Sequence, residues 1–450
     1  MKGIACVGLA VGLASAALFG GTLHEGNAAD PRAAEGIAVR GLRLQQQAGA
    51  TGNPALYPKV ERELRAALVL EPANGTALRG LAALAASRHR FAESLELAER
   101  AQRLEPQVAA VYGLLGDANL ELGRYSKAFA AFERMARLKP STAAYTRVSY
   151  ARELLGDLDG AIAAMELAID ASIGVAEPSA WTRTLLANLL VSQRRVEDAE
   201  RRYREALAFV PRYPAALGGL ARIRSASGDL AGAAALYRRA AAEAPLPEFS
   251  AALGDVLDQL GRRPAAERAW KRADRLERLF AANGGSNLLE TAEFDLNHDR
   301  NVRAALDRAR RGRAERPSVE GDHVLAWALY KNDRCVEARP VSLRSLRLGT
   351  LDVDGLYHHS LIEACIGNSE AAAAYRDKVR RLDPAYLAHA PSARRFAGAG
   401  RVDSVAWSPS ASPISSASPR NGSSRAPSAT TPEAPATSSR SPATSTPGAG

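Results

Sequence analysis

Between Tyr112 and Pro140, apolar and small residues return every three or four positions with charged residues between them. Tyr112, Leu115, Gly116 and Asn119 fall on one face of a first helix, and Ala128 and Phe132 on one face of a second. Gly123 separates the two, because a left-handed residue ends a helix and glycine adopts that conformation without steric cost. Pro140 ends the second, since proline lacks an amide donor and drives the preceding residue out of helical geometry. The stretch predicts two short antiparallel helices.

The same pattern returns along most of the chain. Pro72, Pro106 and Pro140 are separated by a constant 34 residues, as are Pro211 and Pro245, and each follows a helical run. Matching positions recur at Leu78 and Phe91, at Tyr145 and Ala161, at Trp181 and Tyr203, and at Leu217 and Tyr237. A further copy carries Leu253, Gly261, Ala266 and Trp270, with its second helix extending to Ala282. The insertion around Gly174 and Pro178 predicts a longer loop, and degenerate copies end at Pro317 and Pro384. With a partial copy before Pro72 there are about ten units in register.

This constellation resembles the tetratricopeptide repeat, W-x2-L-G-x2-Y then A-x3-F then P, with Tyr112 in place of the Trp and Asn119 in place of the Tyr. The resemblance implies an all-α fold: an α-solenoid superhelix of stacked helix-turn-helix repeats over residues 30–397, each pair touching only its neighbours. Gly116 and Ala128 are small where the two helices cross, and in the stretch just described Asp117, Leu120 and Glu121 are left as the open face.

Composition supports helices: apolar residues are 46% of the chain but aromatic ones only 6%, so the apolar content is largely Ala and Leu. The net charge of +10 is spread as arginines with glutamates close by, such as Glu99 and Arg100 or Glu200 and Arg201, and no basic run interleaves with aromatics. Nucleic acid is therefore not an expected partner.

The two ends differ from the middle. Residues 1–29 carry Lys2, an apolar stretch from Ile4 to Phe19 and small residues up to Ala28 and Ala29, the layout of a secretory signal that is cleaved or retained as an N-terminal anchor. Export to the cell envelope or beyond is the expectation, with membrane contact only through that segment. Past it, Cys335 and Cys365 remain, either as one disulfide or as two reduced, buried thiols. Residues 398–450 are Ser, Thr, Pro and Ala with hardly an apolar anchor, which predicts a disordered tail.

No Gly-Lys-Ser/Thr phosphate loop, HExxH, CxxC or Gly-x-Ser-x-Gly elbow occurs, so neither an enzyme nor a cofactor is expected. The resemblance implies instead a scaffold with a protein or peptide partner in the concave groove. The family's groove positions on the first helix of each pair map to Arg79, Arg147, Tyr150, Asn188, Arg222, Phe294, His323, Trp327, Tyr330, Tyr357 and His358, with Trp181 beside them. Trp327 and Tyr330, one turn apart, form an aromatic row that either faces a ligand or packs on the next repeat. A second reading assigns His298, His323, His358 and His359 to an accessory ligand- or metal-binding subunit; the plainer alternative makes them polar groove residues.

Overall fold

The computed structural model describes residues 32–384 and 386–389. The stretches read above as a signal and as a tail lie outside the described residues. Ten helix pairs follow one another, repeats 1 to 10. They are α1 (Arg32–Thr51) with α2 (Tyr57–Leu70), α3 (Gly75–Ser87) with α4 (Phe91–Leu104), α5 (Ala109–Glu121) with α6 (Tyr125–Leu138), α7 (Thr142–Leu154) with α8 (Leu158–Asp170), and α9 (Ala176–Ser192) with α10 (Val196–Phe209). The second half adds α11 (Pro214–Ala226) with α12 (Leu230–Glu243), α13 (Pro247–Gln259) with α14 (Arg263–Ala282), α15 (Leu288–Asn297) with α16 (Val302–Glu315), α17 (Val319–Lys331) with α18 (Cys335–Ser345), and α19 (Val353–Cys365) with α20 (Ser369–Leu382). A short α21 (Tyr386–His389) follows.

The long loop expected around Pro178 is instead the first turn of α9, where a missing amide leaves no intrahelical bond unmade. Gly123 has φ of 69°, as a helix-ending glycine requires. At the crossing, Gly116 receives the ring of Phe132, and Gly254 receives Trp270 in repeat 7. A Cβ on Gly116 would overlap the Phe132 ring, which is 1% exposed and has nowhere to retreat. Gly116→Ala is expected to lower unfolding stability by about 1–3 kcal/mol, measured by urea denaturation followed by circular dichroism.

Successive first helices touch each other across repeats 1 to 6 and 8 to 10 to a degree that successive second helices do not, so the stack bends toward the first helices and these form its concave side. The second helices are amphipathic. In α6, for instance, Tyr125, Ala128, Phe132 and Met135 are buried and the charged residues face solvent.

The expectation that each pair touches only its neighbours is corrected by the structure. The turns inside repeats 2 to 5 rest on loops five or six repeats further along the chain. The Ser286 amide donates to the Arg88 carbonyl at 2.9 Å, and His89 Nδ1 lies 3.0 Å from the Ser286 carbonyl. In the next step the Val319 amide donates to the Tyr125 hydroxyl at 2.6 Å, and Arg316 pairs with Glu121 at 3.0 Å. Thr350 then donates to the Leu154 carbonyl at 2.6 Å, and Arg194 pairs with Asp383 at 2.6 Å. Val319 and Leu348 also pack on Leu120, Tyr125 and Leu154, so the seam has an apolar component. One superhelical turn sits directly on the next.

The open face expected at Asp117, Leu120 and Glu121 is corrected by the same contacts. Leu120 is 6% exposed within the seam, Glu121 holds Arg316, and Asp117 holds Arg147.

Candidate functional site

The groove positions divide into two groups. In the N-terminal half they are clips between repeats. Arg147 is fully buried, with Nε and Nη2 on the two Asp117 oxygens at 2.9 and 2.7 Å and Nη1 on the Ala143 carbonyl at 2.9 Å. Burial pushes the Asp117 carboxyl up and Arg147 pulls it back. Arg79 pairs with Glu105, whose residue ends α4. Asn188 Oδ1 accepts from the Tyr203 hydroxyl at 2.6 Å and from Arg222 Nη2 at 3.0 Å, linking repeats 5 and 6. Tyr150 packs in the cluster around Phe132, and Trp181 in the one around Leu186.

In the C-terminal half several positions converge. Trp327 stacks on Tyr330 at 5.1 Å between centroids and on His358 at 3.7 Å, and the other neighbour of His358 is His323 at 5.2 Å. Tyr357 lies at 6.1 Å from His358. The Trp327 indole donates to Asn297 at 3.0 Å and the residue is 5% exposed, so it joins repeats 8 and 9 rather than forming an open row. Phe294 belongs elsewhere, packing on His298 at 4.2 Å and on the repeat 7 core. The histidines do not form one centre. His298 meets Asp255 at 2.7 Å, and His359 meets Ser342 at 2.9 Å and Glu363 at 3.2 Å. Among the described residues no group of three or more His, Cys, Asp or Glu is placed to hold a metal ion. Cys335, which begins α18, and Cys365, which ends α19, are joined by a disulfide between repeats 9 and 10.

Sequence reasoning missed the carboxylates around His323. Burial alone would lower the His323 imidazole, but Glu320, Asp352, Glu293 and Asp354 raise it above its ordinary value. Glu320 is pushed up to about 7 by burial and then by Glu293, and Glu293 is itself raised by burial against the pull of His323. The run continues into repeat 7, where burial takes Glu248 up to about 7 and Glu277 up to about 8. A signal existed: the first helices of repeats 7 to 10 begin with Glu248, Glu290, Glu320 and Asp354, whereas those of repeats 2, 3, 4 and 6 carry no acid in their first turn. Such acids also suit any helix N-terminus, which hides them.

A family model for the tetratricopeptide repeat matches residues 84–143 and 184–246, within the helix pairs just described. Those two stretches are tetratricopeptide repeats. Among curated proteins, a wheat (Triticum aestivum) Hsp70-Hsp90 organizing protein is 34% identical over 102 residues, which is 22% of this chain and 18% of that protein. Solved structures similar to this one include a thermophilic tetratricopeptide repeat protein from Thermus thermophilus, with 21% identity and TM-score 0.37 over 43% of this chain and 98% of that one. Yeast Tom70 is another, with 15% identity and TM-score 0.43 over 84% of this chain and 72% of that one. The seam between superhelical turns and the acidic end of the concave face are built from this chain's own side chains. No helix among the described residues is long and apolar enough to cross a membrane.

Proposed function

We propose that this chain is a non-catalytic scaffold, exported from the cytoplasm, that holds a segment of a partner protein on the concave face of repeats 7 to 10. The observation that carries this reading is the contrast between the two halves of that face. In repeats 2 to 6 the polar groups are spent on clips between helices, whereas in repeats 8 and 9 Glu293, Glu320 and His323 are only half-buried and make no hydrogen bond or ion pair among the described residues. Stacked repeats give such a face length and curvature for an extended segment. A protein partner is also in keeping with the partial match to a relative named for organising Hsp70 and Hsp90. Export is supported by Lys2 and the apolar stretch after it, and by the Cys335–Cys365 bridge, which suits an oxidising compartment.

Site-specific photo-crosslinking tests this. A benzoylphenylalanine at His323 is expected to give a discrete adduct in the envelope fraction, while the same probe at Lys127, exposed on α6, gives none. Adducts at Lys127 alone, or at neither position, would count against the concave face.

A further inference from the structure

We infer that the acidic end of the concave face is a site for basic side chains, so that the segment held there carries arginine or lysine; this rests on the scaffold reading above and names its partner's chemistry. Three first helices contribute: α15 brings Glu290 and Glu293, α17 brings Glu320 and His323, and α19 brings Asp354 with Asp352 just before it. The placement is close. A methyl group on Gly355 would sit 3.1 Å from Asp352 Oδ2 and 3.4 Å from His323 Nδ1. The nearby cations are committed: Arg316 lies 2.5 Å from Glu290 and also holds Glu121, while Lys331 sits over the Trp327 ring and pairs with Asp299. Glu293 and Glu320 have no ion pair among the described residues; besides burial, Glu293 raises Glu320, and Asp354 and Glu290 raise Glu293.

A second observation points the same way. His358 is 9% exposed, and its Nδ1 is buried without a hydrogen-bond partner on a ring stacked against His323, the centre of the carboxylates. Burial and the adjacent His323 keep that ring well below the ordinary imidazole range, so it is neutral and one nitrogen is free to accept. A neutral acceptor, carboxylates and an aromatic stack are the groups that recognise a guanidinium or ammonium. The sign is local, because the chain as a whole carries +10 and would repel a basic ligand elsewhere.

Calorimetric titration of the full chain with an arginine-bearing Gly/Ser peptide, and with its glutamate counterpart, tests the assignment. Saturable binding of the arginine peptide alone is expected, weakened about tenfold by the double substitution Glu293→Gln and Glu320→Gln. That variant is expected to melt no lower than the parent, since it removes like-charge repulsion; a merely structural role would lower the melting temperature instead. Binding is expected to tighten from about pH 6 to pH 8, as Glu320 ionises and His323 loses its proton, both making the site more negative. Equal affinity in the variant, preference for the glutamate peptide, or no binding of either overturns the basic-ligand assignment. If the His323 crosslink still forms in that event, the scaffold reading stands and only the partner's chemistry falls.

Discussion

Arg316→Ala is expected to open the seam between superhelical turns. The guanidinium is 7% exposed and bridges two carboxylates that approach from opposite sides, Glu121 of repeat 3 at 3.0 Å and Glu290 of repeat 8 at 2.5 Å. It also lies over the Phe91 ring at 5.4 Å. Removing it leaves two buried acids facing each other with no cation, at a cost on the order of 3–5 kcal/mol. Burial would raise Glu290, but Arg316 and His89 hold it below the ordinary range; without Arg316 that stabilisation is lost. In an unsealed solenoid such damage would stay within adjacent repeats. Here it falls on a contact between residues 195 positions apart, so the two turns separate before either unfolds. Hydrogen exchange is expected to rise at the Gly123 turn and at Pro317–Val319 together, with a larger radius of gyration by X-ray scattering. Unchanged protection at both places would show that the remaining apolar contacts and hydrogen bonds hold the seam without Arg316.

The repeats and their internal chemistry were legible because they are local and periodic. The spacing of the prolines, the crossing at Gly116 and the left-handed Gly123 each follow from requirements met within one helix pair. The seam was not legible, since its partners have no fixed spacing and its charges read as ordinary helix-face arginines and glutamates. One trace of it is visible in retrospect. The turn position held by Gly123, Gly156, Gly228, Gly261 and Gly367 is His89, Arg194, Asp299 and Asp333 in repeats 2, 5, 8 and 9, and the first two, with φ of 57° and 63°, lie at the seam. The side chains of His89 and Arg194 reach across the seam, His89 to Ser286 and Arg194 to Asp383. Side chains are rare in that conformation, and His89 and Arg194 are held there by a contact that glycine lacks. Gly123 has a seam role of another kind: a Cβ there would overlap the Pro317 carbonyl oxygen of the neighbouring turn.

The groove was legible as a place but not as a set of ligating residues. Family positions name which side chains point inward, and they cannot say which of those are already paired. Arg79, Arg147, Asn188 and Arg222 point inward and are consumed by Glu105, Asp117 and Tyr203. The carboxylates at the other end are inward and crowded. A concave face that is self-satisfied over its first repeats and charge-frustrated over its last has a direction. Under the scaffold reading proposed above, a bound segment would be anchored at the last repeats, 7 to 10.

Arg147→Ala separates these roles most sharply. If Arg147 served a partner, its loss would weaken capture and leave the fold intact. The structure requires the opposite. The side chain is 0% exposed and joins α7 to α5 through both Asp117 oxygens. Truncation buries an unpaired carboxylate and opens a cavity, costing about 3–5 kcal/mol, while a partner bound at repeats 8 to 10 is still captured by the folded fraction. The deficit depends on pH with a definite sign. Burial already raises Asp117, and without Arg147 nothing comparable opposes it, so the folded variant retains a proton that the unfolded chain gives up at about pH 4. The variant therefore loses stability relative to the parent as pH rises from there toward the new folded value, and the gap is smallest in acid. Urea unfolding of both proteins across that range measures it. Asp117→Asn in the same chain is expected to remove the pH dependence of the gap while leaving the cavity term; a gap that stayed constant with pH in the single variant would mean that Asp117 had found water or another cation.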